Sequence, residues 1–400
     1  MDVFRIEKLD HFGRGIVKLD KKTVFVNNAL IGDKVCIKII KDKKNYSLAN
    51  VDKVIEESKF RRAFCKYSSI CGGCQICDLD YQKQLKYKKE KIEEIVSHYL
   101  KEKIKVNDIV FSKDNEYRNK ITLHISDKAI GFYKKESNDI IEIDECMLVD
   151  NKVNDIIKKL KKLVKKEEHN LKEVIIRLSS LKQIMIIFNG EIDESVVLKY
   201  FDFIDSIVIN GKVLKQEYIK ERIGNYYYFI YPNAFFQVNR FNTEKLYNEV
   251  IKQINKKYNK ILDLYCGTGT IGISLSKYAE KVIGIEENKD AVYSANENKK
   301  LNSIDNIEFI CGKVEDNIDK LSDIDLIVVD PPRSGLDKKT ISNILRIKPE
   351  KIIYVSCDPM TLVRDLNNLI TTYSIDSITP VDMFPNTYHV ESVCVLERKN

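Results

Sequence analysis

Apolar and polar stretches alternate regularly from about residue 260 to the end of the chain. Five short apolar runs are each followed by polar turns or a stretch with helical spacing, which is typical of a parallel sheet built from strand–helix units. Two further apolar runs close the segment. With a helix near Thr243, the pattern predicts an α/β domain with a doubly wound sheet over residues 231–400. The predicted strands are Ile261–Tyr265, Val282–Glu286, Ile307–Ile310, Leu326–Asp330, Ile352–Ser356, one near Ile375–Met383 and Ser392–Leu396.

Residues 1–57 contain shorter apolar runs separated by turn residues such as Gly13, Gly15 and Gly32. Five short strands in so short a stretch predict a small β-barrel of the OB type. Such barrels frequently bind oligonucleotides, and a barrel that contacts proteins is the alternative. The predicted strands are Phe4–Leu9, Gly15–Leu19, Thr23–Val26, Lys34–Ile40 and Ser47–Val54.

Residues 58–230 predict a central α+β domain. It begins with a cysteine-rich loop and a charged helix over about 81–105. A lysine-rich helix follows at Val153–Lys166, with its charges on a solvated face, and one aromatic strand lies within Glu221–Pro232. The other predicted strands are Lys120–Ile125, Ile130–Tyr133, Val174–Ser179 and Gln183–Asn189.

Composition restricts the class of protein. The chain has 400 residues with 44% hydrophobic content, enough for the cores of two or three folded domains. No apolar run approaches the ~20 residues that span a bilayer. The start, MDVFRIEKLD, is charged where a signal peptide is apolar. We therefore expect a cytoplasmic protein with reduced thiols, no membrane partner and a monomeric state.

Positive charge is concentrated at the amino-terminal end. The first 105 residues hold 24 Lys and Arg against 15 Asp and Glu, and the remaining 295 residues carry a net charge of −2. This asymmetry favours contact with a polyanion, most simply a nucleic acid. A merely solvated lysine-rich surface is the alternative.

Four cysteines lie within thirteen residues, at Cys65, Cys71, Cys74 and Cys77, with two glycines between the second and third. In a reducing compartment this cluster indicates a metal centre, because thiolates ligate both structural zinc and iron–sulfur clusters. Zinc usually takes two separated pairs, so one compact loop favours iron–sulfur. Local spacing selects Cys77 as the fourth ligand, and Cys146 is the rival.

A glycine-rich loop follows the first strand of the α/β domain. The sequence GTGTIG at 267–272 matches G-x-G-x-x-G, and Glu286 ends the next strand. This combination fits a dinucleotide or S-adenosylmethionine (SAM), since either presents a ribose to the acid. Asp263 and Tyr265 beside the loop favour a cationic ligand without pyrophosphate. DPPR at 330–333 resembles the fourth motif of class I methyltransferases, so we expect SAM rather than NAD.

One cysteine follows a buried strand of the α/β domain. In KIIYVSCDPMTLVR, Pro359 ends the strand and starts a helix at Met360. Cys357 is thus predicted at the carboxyl end of a strand, where open α/β sheets place their ligands. The adjacent helix start is expected to lower the pKa of the thiol. The alternative is a small core residue.

Several motifs together resemble a known family. DLYCGTGTIG, DPPRSG, SCDP and YHVE (388–391) are similar to the motifs of RNA uracil-5-methyltransferases, and GRGIVKLDKKTVFVNNALIGDKVCIKI resembles a TRAM domain. With the CGGC loop, the resemblance covers essentially the whole chain. It looks most like the branch that acts on 23S rRNA, with tRNA as the other substrate. It implies a class I SAM-dependent methyltransferase (Rossmann-like) domain behind an OB-type (TRAM) barrel and a central α+β domain. It also implies that the helix over about 81–105 packs on the catalytic domain.

The resemblance implies roles for individual residues. Cys357 would be the nucleophile and Glu391 the base, and a [4Fe-4S] cluster would accompany SAM. Asp358 stands where the family commonly has Asn, which puts the hydrogen bonding at this position in question. The implied SAM contacts are Gln237, Tyr265, Glu286 and Asp330, and the implied cluster ligands are Cys65, Cys71, Cys74 and Cys146.

The implied reaction is SAM-dependent methylation of C5 of a uridine through a Cys357 adduct at C6. Four other functions compete with it. Amino-group methylation is disfavoured by Arg333, where its motif has an aromatic residue, and a radical methylthiotransferase by the absence of its Cys-x3-Cys-x2-Cys spacing. A non-catalytic RNA-binding protein and a dehydrogenase are the remaining two.

Overall fold

The computed structural model describes residues 2–19, 21–100 and 103–399. Three large sheets follow one another along the chain, and a long helix connects the first to the last. In the part of the chain that the structure describes, no helix is both long and apolar enough to cross a membrane.

The amino-terminal barrel has six strands, where five were predicted. The predicted strand Phe4–Leu9 is interrupted because Ile6 turns fully into the core and its N–H donates to the Asp33 carbonyl (2.9 Å). The strand order is β1-β5-β6-β4-β3-β2, with all pairs antiparallel except β4–β6. The strands are β1 (Val3–Arg5), β2 (Lys8–Leu9), β3 (Gly15–Leu19), β4 (Lys22–Asn27), β5 (Lys34–Asp42) and β6 (Tyr46–Glu56).

Helix α1 (Tyr81–Tyr99) touches two cores. Asp80 caps it by accepting the N–H groups of Gln82 and Lys83. Tyr87 packs into the barrel core, whereas Ile92 and its neighbours pack into the core of the carboxyl-terminal sheet. The predicted extension of this helix to 105 is wrong, because the backbone at Leu100 is extended and 103–105 are not helical; residues 101 and 102 lie outside the described part.

The central sheet has the order β13-β12-β11-β10-β7-β8-β9. Helix α2 buries an apolar stripe against it, including Ile156 and Leu160, and its lysines face outward. The elements are β7 (Lys120–Ser126), β8 (Ala129–Tyr133), β9 (Ile140–Glu142), α2 (Asn151–Lys166), β10 (His169–Leu178), β11 (Ile184–Ile192), α3 (Glu194–Tyr200), β12 (Ser206–Ile209) and β13 (Lys212–Val213).

The single aromatic strand predicted within Glu221–Pro232 is instead a hairpin. Strands β14 (Ile219–Ile223) and β15 (Tyr226–Ile230) pair around Gly224, whose φ of +57° favours glycine. Tyr228 of this hairpin is buried in a core shared with the carboxyl-terminal sheet.

The carboxyl-terminal sheet has the order β18-β17-β16-β19-β20-β22-β21, with only β22 antiparallel to its neighbours. The chain leaves β16 toward β17 and β18, then returns to the other side at β19. This reversal opens a crevice at the carboxyl ends of β16 and β19. The elements are α4 (Thr243–Ile251), β16 (Tyr258–Leu264), α5 (Thr270–Leu275), β17 (Ala279–Glu286), α6 (Lys289–Leu301), β18 (Ile307–Cys311), α7 (Val314–Asn317), β19 (Leu326–Val329), α8 (Lys338–Ile347), β20 (Lys351–Ser356), α9 (Pro359–Leu369), β21 (Tyr373–Val381) and β22 (Glu391–Arg398).

Candidate active site and cysteine cavity

A cleft of about 790 Å³ lies at the carboxyl ends of the parallel strands. It is lined by all six residues that the sequence predicted for catalysis and SAM binding. Five of them lie at the ends of five different strands and Gln237 lies in the loop before α4, so only the folded sheet brings them together. They are Gln237, Tyr265, Glu286, Asp330, Cys357 and Glu391.

The glycine loop turns sharply at the mouth of the cleft. Tyr265, Gly267 and Gly269 all have positive φ, at 60°, 53° and 77°. A Cβ at Gly269 would lie 2.6 Å from Cζ of Phe309, whereas a Cβ at Gly267 would meet no heavy atom within 4 Å. Glu286 Oε2 accepts the N–H of Gly267 (3.1 Å) and so fixes the loop to the end of β17. The loop is therefore rigid where it packs and open where it faces the cleft.

Cys357 lies between β20 and the N-cap of α9. Asp358 caps the helix because its Oδ1 accepts the N–H groups of Met360 (2.8 Å) and Thr361 (3.2 Å). An Asn side chain has the same acceptor oxygen, so the replacement of the family's Asn keeps the cap. It does add a negative charge beside the thiol.

The predicted lowering of the Cys357 pKa is wrong. Burial raises the pKa of this thiol to about 12, and the carboxyl groups of Glu391 and Asp330 add to the shift. Arg333 opposes them. The helix N-terminus does not compensate, since the Asp358 carboxylate already occupies the first free N–H groups of α9.

Two acids share the cleft with the thiol, at the ends of the strands β19 and β22 that flank β20. Burial raises the pKa of Glu391, at the start of β22, to about 8, and the nearby Asp330 contributes. Burial likewise raises the pKa of Asp330 to about 7. A positively charged ligand would favour their ionised forms, so this set suits the sulfonium of SAM.

His389 also lines the cleft. Its pKa is lowered to about 4, first by burial and then by the charges of Arg333 and Lys91, so the imidazole is neutral at neutral pH. The sequence showed this residue within YHVE but indicated no role for it.

Sequence reasoning missed a buried polar network beneath the catalytic loop, residues 382–391. Lys88 is completely buried on α1 and donates to Asp382 and to the Phe384 carbonyl (2.9 Å). Asn386 exchanges hydrogen bonds with Gln84 of the same helix. The sequence did contain an indication that Lys88 is buried. Lys88 lies three residues after Leu85 and four before Ile92, which places it within the apolar stripe of α1.

Five cysteines line a separate cavity of about 210 Å³ between the cysteine loop and the central sheet. The loop is docked against β8, where Gly72 donates its N–H to the Tyr133 carbonyl (3.0 Å). A Cβ at Gly72 would lie 3.2 Å from two carbonyl oxygens of this edge, which explains the glycine. The five are Cys65, Cys71, Cys74, Cys77 and Cys146.

Among the described residues, no three His, Cys, Asp or Glu side chains are close enough together to hold a single metal ion. A multi-iron cluster is larger than one ion and needs thiols spaced around a cavity, which this arrangement provides. Burial raises the pKa of Cys146 to about 11 and also raises those of Cys65 and Cys71. Metal binding would displace these protons. Thiols are donors that suit either an iron–sulfur cluster or a structural zinc, and Cys77 and Cys146 both line this cavity.

The strand order, glycine loop and acidic cleft define a SAM-dependent methyltransferase domain. A tRNA (uracil-5-)-methyltransferase family model matches residues 80–399, and a TRAM domain model matches residues 5–51. The chain therefore belongs to the tRNA (uracil-5-)-methyltransferase family and carries a TRAM domain. It is an RNA methyltransferase that uses SAM, as the resemblance implied.

Known proteins match over the whole length. An uncharacterised RNA methyltransferase of Clostridium acetobutylicum is 36% identical over 441 residues, covering 98% of this chain and 96% of the relative. One from Staphylococcus aureus (strain MSSA476) is 33% identical over 439 residues, covering 98% and 96%. The crystal structure of Pyrococcus abyssi tRNA (uracil-54, C5)-methyltransferase with S-adenosyl-L-homocysteine superposes with a TM-score of 0.84 at 30% identity, covering 99% of this chain and all of that one.

Proposed function

We propose that this enzyme methylates C5 of a uridine in 23S rRNA, forming 5-methyluridine, with Cys357 as nucleophile and Glu391 as base. The observation that carries the proposal is one cleft in which a thiol and a buried carboxyl group lie beside the glycine loop. An amino-group methyltransferase needs no thiol there, and the raised pKa of Glu391 suits a base working near neutral pH.

Gln237, Tyr265, Glu286 and Asp330 would hold SAM in this cleft, where it supplies an electrophilic methyl group on a sulfonium. Glu286 would contact the ribose, since it lies at the end of the second strand beside the glycine loop. Tyr265 is half-buried at the end of the first strand and lines the cleft, which supports its proposed contact with SAM.

Cys357 and Glu391 would act in different steps of the reaction on the target uracil. The thiol would lose its proton to solvent, and Sγ would then bond to C6 of uracil. The C5–C6 double bond opens to an enolate, which makes C5 nucleophilic. After C5 has gained the methyl group, Glu391 removes the C5 proton. The S–C6 bond then breaks, the double bond re-forms and the thiolate is released. The target base must be unpaired or flipped out to enter the cleft.

We further propose a [4Fe-4S] cluster on Cys65, Cys71, Cys74 and Cys146, with Cys77 as the alternative fourth ligand. Its role would be to support the fold and the RNA-binding surface, since the cysteine cavity is separate from the cleft. Cys146 belongs to the segment before α2, so this ligand set would tie the cysteine loop to the central domain.

Two classes of RNA are candidate substrates. The basic amino-terminal third would hold RNA, and the enzyme would act as a cytoplasmic monomer. A tRNA uridine is the second candidate, favoured by the full-length match to an enzyme whose name specifies tRNA uracil-54.

Mass spectrometry of nucleosides from rRNA and tRNA tests the proposal in cells with and without this protein. We expect 5-methyluridine to disappear from a 23S rRNA site and to return with the wild type but not with Cys357→Ala. Loss in tRNA alone would retain the chemistry and replace the substrate. No change in either RNA would contradict the proposed function.

A further inference from the structure

An aromatic and cationic strip leads from the barrel to the cleft. The ring centroid of Phe12 lies 5.8 Å from that of Tyr388, and Tyr388 lies 4.2 Å from His389, which lines the cleft. On the barrel side, the Arg14 guanidinium lies 4.7 Å from the Phe25 ring centroid and 5.2 Å from that of Phe12. The strip comprises Phe25, Arg14, Phe12, Tyr388 and His389.

The loop that carries Phe12 and Arg14 is held in one conformation. Asp10 is buried, and its Oδ1 accepts the N–H groups of Phe12 (2.9 Å) and Arg14 (2.8 Å). Its Oδ2 accepts Nε of Arg14 (2.7 Å), which fixes the guanidinium plane beside the two rings. Both side chains are thus positioned before any ligand arrives.

Helix α1 fastens this loop to the catalytic loop. Lys91 donates from Nζ to the His11 carbonyl (2.8 Å) and to the Tyr388 carbonyl (3.1 Å). Tyr87 donates its hydroxyl to the Asp10 carbonyl (2.7 Å). The barrel end of the strip therefore keeps a defined position relative to Cys357 and Glu391.

Despite this rigid support, Phe12 is 57% exposed. Exposed aromatic rings combined with cations along a groove are how proteins bind single-stranded nucleic acids, because each ring stacks on a base and the cations meet the phosphates. The barrel end of the strip, with Phe25, Arg14 and Phe12, belongs to the part of the chain with the excess of positive charge. Its other end, at His389, lines the cleft that would take the target base.

We propose that the strip is a stacking platform for the unpaired nucleotides adjacent to the target uridine, with Phe12 stacking on a base and Arg14 meeting the backbone. This inference rests on the proposed function for the identity of the target base. It assigns the barrel a direct part in presenting single-stranded RNA to the cleft.

Binding of fluorescein-labelled RNA tests the platform. The probes are a single-stranded 12-mer of oligouridylate and a duplex of equal length. We expect the wild type to prefer the single strand, and Phe12→Ala to bind it roughly tenfold more weakly, the loss expected for one stacked base. Phe12→Tyr should bind like the wild type, because it keeps the ring.

Phe203→Ala is the matched control. Phe203 is 49% exposed in the central domain and has Lys159 at 4.0 Å from its ring centroid, so it reproduces the same pairing elsewhere. Its removal should leave RNA affinity unchanged. An equal loss in both alanine variants, or none in Phe12→Ala, would overturn the platform.

Turnover separates this inference from the proposed function. With undermodified rRNA from cells lacking the protein, Phe12→Ala should raise KM for RNA roughly tenfold while kcat and calorimetric SAM affinity stay unchanged. If Phe12→Ala methylated RNA normally with an unaltered KM, the platform would be overturned and the proposed reaction would stand. If the wild type methylated no RNA but Phe12→Ala still lost single-strand binding, the proposed reaction would fail and the platform would stand.

Discussion

Lys88 on helix α1 and Asp382 after strand β21 form an ion pair in which both side chains are completely inaccessible to solvent. The Tyr81 hydroxyl donates to the same carboxylate (2.9 Å), and Lys88 also donates to the Phe384 carbonyl. The pair lies at the start of the catalytic loop that ends at Glu391. It thereby joins the helix that supports the barrel to the segment that supplies the proposed base.

Replacing Lys88 with Met should destabilise the protein by about 3–5 kcal/mol, because it leaves the Asp382 charge buried without its partner. Lys89→Met is the matched control, since the adjacent Lys89 pairs with an exposed Asp108 and its loss should cost less than about 1 kcal/mol. The double variant Lys88→Met, Asp382→Leu should recover part of the loss. Urea unfolding measures all three, and equal effects of the two Met variants would contradict the buried pairing.

The methylation rate should rise with pH between about 6 and 8. A base must be deprotonated to act, and the pKa of Glu391 is raised to about 8. Below pH 8, each decrease of one pH unit therefore lowers the fraction of enzyme with deprotonated Glu391 by up to tenfold. The raised pKa of Cys357 also makes the rate increase with pH, since only the thiolate adds to C6. Initial rates at saturating RNA would show this dependence, with circular dichroism confirming an intact fold. A rate that falls over this range would exclude Glu391 as the base.

Glu391→Gln should trap the RNA on the enzyme. Without a base the C5 proton stays in place, the S–C6 bond cannot break and the methylated adduct accumulates. Denaturing gel electrophoresis should show a protein–RNA band with Glu391→Gln and SAM, and none with the double variant Cys357→Ala, Glu391→Gln. A covalent band in the double variant would place the nucleophile elsewhere.

The positions of strands could largely be predicted from sequence, because apolar runs of strand length bounded by glycine, proline or polar turns are a local property. The position of the cleft could be predicted from these strands. The carboxyl ends of parallel strands meet at one edge of the sheet, and they bring Glu286, Asp330 and Cys357 together there. The predictions that failed concern features that depend on residues distant along the chain. The hairpin at Gly224 was missed because its first strand, Ile219–Ile223, has three charged residues and no aromatic one. Glu221 of that strand is buried, and it accepts the N–H of Ser180, which lies 41 residues away along the chain.

Electrostatic properties were the least predictable part of the site. The pKa of Cys357 reflects burial and two acids that lie 27 and 34 residues away along the chain, none of which the helix-start argument included. Lys88 is likewise buried against a partner, Asp382, that lies 294 residues away along the chain. Local sequence assigns a residue its chemistry, but the fold decides its protonation and its partners.

Gly269→Ala should abolish SAM binding. Its φ of +77° already disfavours alanine by about 1–2 kcal/mol, and the new Cβ would in addition lie 2.6 Å from Phe309, which forces the glycine loop to move. Gly211→Ala is a matched control, because Gly211 has φ +80° but open space around its Cβ. Calorimetry should show SAM binding lost only in Gly269→Ala, with both variants folded. Equal SAM affinity in the two would show that the loop does not shape the cofactor site.

The proposed cluster makes a distinct prediction about its fourth ligand. The Cys77 thiol already has an acceptor in its own turn, Asp78 Oδ1 at 3.8 Å, and ligation would break that contact. Cys146 comes from a separate segment whose N–H is fixed by Asn154 (2.8 Å), so it is positioned without such a competitor.

Cys146→Ser should therefore lose most of the bound iron and the visible absorption of the anaerobically purified protein, whereas Cys77→Ser should keep them. Cys311→Ser, an exposed thiol outside the cavity, is the control and should match the wild type. Iron and sulfide analysis with absorption spectra would measure the three variants side by side. Loss in Cys77→Ser with retention in Cys146→Ser would transfer the fourth position to Cys77. Zinc in place of iron in the wild-type protein would overturn the cluster itself, because the same thiols would then serve a structural zinc site.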